Sequence, residues 1–245
     1  MRRDLRLMEK LVLRRVATLD ELHQTWFAGL SRKRALNRLG ELASAGYLHR
    51  VTLAVPDALD GPEREQSLYT LGPKARTALE LRSLSSEHFR YRRWNPVLRD
   101  SSMPHQLAVN RVCDLLSVDA VPEHLLPPAE NRAAMQHKPD AIWERARDGA
   151  RATKILLEVD LGHYSRQRIK GKVAAFAQDP EALAMLIITP DAARADRVAG
   201  WVRENDAVRR YRRDVKVVSV SELLARLDWY AERFGDQIPQ LPEVQ

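Results

Sequence analysis

At Gly46 the hydrophobic period of this chain changes from helical to alternating, and that change constrains the first eighty residues more than any other feature. Before it, Leu5, Met8, Leu11, Val12 and Val16 recur at helical spacing and predict an amphipathic opening helix. Thr18 followed by Glu21 has the form of a capping box, and Leu19, Leu22, Trp26 and Phe27 give the second helix its apolar side. Gly29 breaks that helix. Ser31 is placed to cap a third, whose inward stripe is Ala35, Leu36, Leu39, Leu42 and Ala43. Beyond Gly46, Tyr47, Leu48, Val51, Leu53 and Val55 read as a strand, Pro56 to Glu65 as a turn-rich loop and Gln66 to Leu71 as a second strand. Gly72-Pro73 ends the pair, and Lys74 to Leu81 returns to helix.

The net charge of +7 becomes informative once located. Residues 1–100 carry 19 Lys and Arg against 12 Asp and Glu, whereas the remainder carries 21 of each. The whole excess therefore falls on the first part of the chain, as expected of a surface that meets a polyanion. Arg32, Lys33, Arg34, Asn37 and Arg38 crowd the front of the third helix. Arg and Asn side chains there suit base edges, with Arg34 and Asn37 the candidates. Ser31, Arg32, Lys33 and Arg38 suit phosphates at a helix N-terminus, and Arg50 and Arg64 flank the two strands. The competing reading is a charged face that is merely solvated on a protein-contact module.

The run LxxLxxxGYLxR from Leu39 to Arg50, preceded by three helices and followed by a hairpin, resembles bacterial winged-helix regulators. That resemblance implies double-stranded DNA as partner, with the third helix in the major groove, the hairpin against the flanking backbone, and a two-fold dimer as the usual binding form. Residues 1–82 are expected to form this domain. Residues 83–104 are expected to be a linker, in which Phe89, Tyr91 and Trp94 alternate with Arg90, Arg92, Arg93 and Arg99. Such residues suit an interdomain joint, with phosphate contact as an extra.

From His105 to about residue 235 the pattern is helix, strand, strand, helix, strand, helix, strand, which predicts a mixed α/β layer; residues 236–245 are expected to be a loose tail. Asp140 after Pro139, then Glu158-Val159-Asp160 on an apolar strand, resembles the core of the PD-(D/E)xK nucleases. The fold class expected is thus α/β (α+β), a winged helix-turn-helix followed by a restriction-endonuclease-like sheet domain. In that superfamily such carboxylates hold Mg²⁺, so the resemblance implies Asp140, Glu158 and Asp160 as metal and catalytic residues. The chain departs from the pattern at Asp160, which stands where the motif has lysine. Lys172 on the following helix is the first candidate to replace it and Lys170 the second, with His105 and His163 as weaker additions.

A narrower likeness covers most of the chain. The pieces His105-Gln106, Pro139-Asp140-Ala141, Glu158-Val159-Asp160-Leu161-Gly162 and Lys172 resemble the replication-relaxation proteins of plasmids and integrative elements. Their implied role lies in the replication, regulation or transfer of mobile DNA. Three readings of the acidic residues stay open: an active Mg²⁺ nuclease, a nuclease-like module kept for dimerisation or DNA contact, or unrelated structural carboxylates. In the last two, Arg166, Arg168 or Lys172 would neutralise Glu158 and Asp160, because buried carboxylates without a partner are costly.

Other classes find no support. Cys113 is the single cysteine, and no histidine pair has zinc-helix spacing. No glycine loop suits a nucleotide, and DNA binding is expected to require no cofactor. Charges interrupt every apolar stretch, so neither a signal peptide nor a membrane span is expected, and the chain is read as cytoplasmic.

Overall fold

The computed structural model describes residues 2–57, 59, 61–80, 102–116, 120–122, 138–147, 150–212 and 214–226. The chain is mixed α+β with two sheets and divides into two compact units, Met1–Asn110 and Arg111–Gln245.

In the first unit the helical periodicities become α1 (Arg2–Arg14), α2 (Leu19–Trp26) and α3 (Arg32–Ser44). Thr18 and Glu21 form the predicted box: the Thr18 hydroxyl accepts from the Glu21 amide at 3.1 Å, and Glu21 accepts from the Thr18 amide at 2.8 Å. Ser31 caps α3 by accepting from the Arg34 amide. Ala35, Leu39 and Leu42 are buried, while Leu36 and Ala43 are half-buried at the edges of the stripe.

After α3, β2 (Leu48–Pro56) and β3 (Glu63–Leu71) pair antiparallel through nine positions, from Leu48 opposite Leu71 to Pro56 opposite Glu63. The second strand starts earlier than its hydrophobicity indicates. Glu63, Arg64 and Glu65 are exposed ladder residues, so pairing holds them where no apolar alternation marks a strand. A short strand β1 (Ala17–Thr18) joins the other side of β3, giving the order β1-β3-β2. Helix α4 (Pro73–Glu80) follows directly. The junction is tight: a Cβ on Gly72 would lie 2.4 Å from the Gly46 carbonyl oxygen, which already accepts from the Lys74 amide at 3.0 Å. Both ends of the hairpin are thus tied to the end of α3 through backbone alone.

Val16, Val55, Leu68, Met103 and Leu107 form one buried cluster of this unit. The last two belong to α5 (Met103–Leu115), and Asn110 on the same helix donates to the Arg14 and Val16 carbonyls at 2.9 and 3.0 Å. The division between units therefore falls inside this helix, between Asn110 and Arg111. The second domain expected from His105 onward takes in the whole helix. Apolar spacing marks a buried helix without saying which core buries it. The expected linker 83–104 lies, apart from its last three residues, outside the described residues, as does the tail 236–245.

The second unit is built on a five-stranded sheet in the order β4-β5-β6-β7-β8: Ala120–Pro122, Ala141–Arg147, Ala150–Val159, Ala182–Thr189 and Asp214–Ser219. The first three strands pair antiparallel and the last three parallel. Parallel neighbours need crossovers. Helix α6 (Arg166–Gln178) connects β6 to β7, and α7 (Ala192–Arg203) with α8 (Asp206–Tyr211) connects β7 to β8. Leu156, Met185 and Ile187 pack with Ile169, Val173 and Phe176 of α6 and with Val198 and Val202 of α7. Among the described residues no helix is long and apolar enough to cross a membrane.

Because backbone atoms occupy the space beside Gly72, Gly72→Ala is expected to lower the stability of the first unit by ~1–3 kcal/mol, an overpacking cost. Urea unfolding with hydrogen exchange read on the hairpin amides measures it; an unchanged midpoint would show that the junction yields freely.

Candidate functional site

Two places in the molecule collect the residues singled out in the sequence, one in each unit. In the second unit they lie at the C-terminal end of β6, the middle strand. Side chains alternate along a strand, so Leu156 and Glu158 share a face, the one covered by α6 and α7. Glu158 is fully buried there. Its Oε2 accepts from Lys172 Nζ at 2.5 Å, and the same ammonium donates to the Lys138 carbonyl at 3.3 Å. Asp140 precedes β5. Its amide donates to the Leu157 carbonyl at 3.0 Å, and its Oδ2 accepts from the Val159 amide at 2.8 Å, which fixes the carboxylate beside the last turn of the strand. The ring of Tyr164 completes the group, with Arg168 Cζ 4.0 Å and Lys172 Nζ 5.4 Å from its centroid. Burial pushes the Tyr164 phenol up, and the Asp140 and Glu158 charges push it further, so it stays protonated at neutral pH.

Asp160, two residues beyond Glu158, serves a different partner. Its Oδ1 accepts from the Gly162 and Tyr164 amides at 2.9 and 3.2 Å. Its Oδ2 accepts from Arg194 Nε at 2.8 Å and forms an ion pair with the Nη2 at 2.7 Å. Gly162 makes the first of these turns possible with φ of +90°, a conformation that favours glycine. Arg194 continues to the Tyr164 carbonyl at 2.5 Å and lies 5.0 Å from the centre of the Trp201 ring. Asp160 and Arg194 are both buried; Oδ1 accepts two hydrogen bonds, and Oδ2 accepts one within the ion pair.

The donor set expected for a hard cation is therefore divided. Asp140 and Glu158 come together with Lys172, while Asp160 is neutralised by Arg194 and saturated by N–H donors. A hard cation held jointly by Asp140, Glu158 and Asp160 does not fit this arrangement, since it would have to displace a buried guanidinium. Among the described residues no set of three or more His, Cys, Asp or Glu side chains is grouped to hold a metal. Lys172, the first candidate for the displaced motif lysine, is the one that reaches Glu158. Lys170 instead pairs with Glu204 at 2.9 Å, and Arg166 pairs with the same carboxylate. These two hydrogen bonds hold the Glu204 carboxyl below its ordinary value. His163 is exposed, and His105 belongs to the first unit's part of α5. Arg194 and Tyr164 were not anticipated. The signal available was the cost of two buried carboxylates, which demands two cations; nothing in the spacing shows that the second comes from a helix beyond the next strand.

In the first unit the candidate surface is the outward side of α3. Lys33, Arg34 and Asn37 are exposed, spaced three and four apart so that they share one side of the helix. Arg38 differs. Its Nε and Nη2 donate to the two carboxylate oxygens of the buried Asp4 at 3.2 and 3.0 Å, and its Nη1 reaches Glu41 at 2.5 Å. Burial pushes the Asp4 carboxyl up, but the hydrogen bonding and charge of Arg38, aided by the chain's amino terminus, bring it below its ordinary value. Arg38, expected at a phosphate, thus spends its planar fork on clamping α3 to α1. Arg32 pairs with Asp20 at 2.9 Å, Arg64 with Asp57 at 3.2 Å, and Arg50 donates to the Ser67 hydroxyl at 2.8 and 3.2 Å. The Arg32 and Arg64 pairs are largely solvated, so exchanging their partners costs little.

Removing one member of the buried pair leaves the other charged and alone. Arg194→Met is expected to cost ~3–5 kcal/mol, and Arg194→Met with Asp160→Asn together to cost clearly less than the sum of those two single changes. Denaturant midpoints of the three variants give the coupling; additive costs would show that the pair is not coupled.

One comparison with known proteins bears out the family resemblance. A family model described as replication-relaxation matches residues 8–179, a span that includes α2 and α3, the hairpin, α5, Asp140, Glu158, Asp160 and Lys172. Comparisons with curated proteins and with solved structures give no match. With a match over more than half its length, the chain belongs to the replication-relaxation family.

Proposed function

We propose that this chain is a double-stranded DNA-binding protein of mobile-element replication, regulation or transfer, whose second unit is a nuclease-like module used for DNA contact or dimerisation rather than cleavage. One observation carries the DNA-binding part: Lys33, Arg34 and Asn37 stand exposed on one side of a Ser31-capped helix. The order of three helices, a hairpin and a further helix supports reading the first unit as a winged helix, with α3 in the major groove and the strands β2 and β3 as the wing. Arg34 and Asn37 then reach base edges, while Lys33, Arg32, Arg50 and Arg64 serve phosphates. The replication-relaxation match and the basic first hundred residues support the same partner.

For the second unit, the mixed sheet and the placement of Asp140, Glu158 and Lys172 support descent from a PD-(D/E)xK core. The commitment of Asp160 to Arg194 supports a module that has given up a metal-dependent step. No cofactor enters this reading. Asp140, Glu158 and Lys172 act here as a clamp that fixes the end of the central strand against α6.

Neutralising about four phosphates gives an expected slope of about −3 to −4 when the logarithm of the duplex association constant is plotted against that of salt. Lys33→Ala with Arg34→Ala is expected to reduce that slope by about 1 without moving the unfolding midpoint, whereas Arg38→Ala lowers the midpoint because it takes the guanidinium fork away from the buried Asp4 carboxylate. Fluorescence anisotropy with a mixed-sequence duplex, followed across a salt titration, decides this; a flat salt dependence removes the DNA-binding reading. The same protein incubated with plasmid DNA in Mg²⁺, Mn²⁺ or chelator is expected to leave the DNA intact. Metal-dependent cleavage abolished by Glu158→Ala would reinstate the endonuclease reading.

A further inference from the structure

Charge cancels over residues 101–245, where 21 Lys and Arg meet 21 Asp and Glu, but it is not evenly spread. At the end of α8, Arg209, Arg210, Tyr211 and Arg212 follow one another, and all four are exposed. Tyr211 is 49% exposed and Leu183 51%, and they are the two exposed large hydrophobic side chains among the described residues. Both belong to the same end of the sheet. Leu183 adjoins Ala184, which stands opposite Asp214 at the start of β8, and Tyr211 comes three residues before Asp214. A single exposed apolar side chain needs no explanation, whereas apolar surface beside a run of cations marks a place where something binds.

The fold does not consume these arginines. Arg209 pairs with Asp206 at 3.1 Å, but the two side chains are 66% and 86% exposed, so the pair exchanges its partner at little cost. Arg210 and Arg212 make no side-chain hydrogen bond or ion pair among the described residues, and the Tyr211 ring makes no aromatic or cation contact there. Cations in the last turn of a helix do favour its dipole. That accounts for charge at positions 209 and 210, but not for an exposed ring beside them. Nor does it account for the backbone of Arg212, the C-cap of α8, whose φ of +48° lies in the left-handed region that favours glycine. Glycine would end the helix with less strain. An arginine held there against its conformational preference argues that its side chain is used.

We propose that Tyr211 with Arg209, Arg210 and Arg212 forms a binding site for single-stranded DNA, the ring stacking on a base and the guanidinium groups meeting the neighbouring phosphates. The inference rests on the reading of the second unit as a module that contacts DNA, and it adds the residues and the form of the DNA. A duplex offers phosphates to such a cluster but keeps its bases stacked on one another, so the exposed ring finds no partner in it. An open strand presents both phosphates and base faces. With α3 assigned to the duplex, a chain that acts in replication or transfer would then hold both forms of its DNA through different units.

Fluorescence anisotropy of the full chain with a short mixed-sequence oligonucleotide, single-stranded or annealed, tests this. Tyr211→Ala is expected to weaken binding of the single strand by about ten- to fiftyfold, the loss of one stacked base, and to leave duplex binding unchanged. Tyr211→Phe should keep the affinity, because the ring stacks and the hydroxyl does not. Arg210→Gln with Arg212→Gln should lower the salt slope for the single strand by about 1 to 1.5. Arg212→Gly separates charge from strain: it should raise the unfolding temperature while weakening the single strand. If the single strand binds as tightly after Tyr211→Ala, or if the unaltered protein binds duplex alone, this inference fails while the duplex-binding reading stands. Equal losses for single strand and duplex would make the cluster a general phosphate contact and overturn the single-strand assignment. If the unaltered protein binds neither form, both readings fall.

Discussion

Two carboxylates at the end of the central strand of the second unit have no access to water, and the architecture around them follows from that constraint. Burying a charged carboxylate is unfavourable by several kcal/mol unless it is met by a cation and its remaining lone pairs by N–H donors. Glu158 is met by Lys172 from α6, and Asp160 by Arg194 from α7. The two crossover helices that cover the sheet are therefore each pinned to β6 by an ion pair as well as by their apolar sides. The turn between β6 and α6 is fixed by the same device, because Asp160 accepts from the Gly162 and Tyr164 amides. That in turn sets Tyr164, whose ring supports Arg168 and Lys172. Loosening either pair would release a helix and leave a charge in the core, so these residues contribute specificity of arrangement more than net stability.

The first unit relies on a comparable clamp at a different scale. Asp4 is buried under α3 and takes both arms of the Arg38 fork. With Arg38 held at its base, α3 presents Lys33, Arg34 and Asn37 from a fixed platform. Gly72, backed against the Gly46 carbonyl, closes the platform from the hairpin side. On the DNA-binding reading proposed above, such preorganisation favours recognition of a rigid duplex, because side chains ordered before binding lose less entropy on contact.

Much of this was readable from residue order. Three helices, their caps at Thr18 and Ser31, the paired strands after Gly46 and the mixed α/β pattern beyond His105 all follow from local periodicity and capping chemistry, which depend on neighbours within a few positions. The meeting of Lys172 with Glu158 also followed, from motif resemblance. What stayed hidden depends on distance in space. Arg38 looks like its neighbours Arg34 and Arg32, and only the buried Asp4, 34 residues earlier, sets it apart. Asp160 looks like a companion of Glu158, as two strand residues on one face should be, yet Arg194 draws it into a separate pair 34 residues later in the chain. The start of β3 at Glu63 was missed for a related reason: a hairpin strand with solvent on both sides is specified by its partner and not by its own hydrophobicity.

On the proposed reading of the second unit, the same distinction bears on how a nuclease-like core can lose chemistry without losing its fold. A metal site needs carboxylates that face an open cleft with lone pairs to spare. Turning one of them into the acceptor of a buried arginine satisfies its charge within the protein and makes the fold independent of a cation. Asp160 occupies that state, with two N–H donors from the following turn and a guanidinium from α7. Lysine at this position, as in the motif that the chain resembles, would place a second cation against Arg194 and destabilise the pair by like-charge repulsion. The aspartate at position 160 and the arginine at 194 therefore make sense only together. The departure from the nuclease motif is half of an ion pair whose other half lies outside any motif, and the energetics of that pair account for why the position holds an acid.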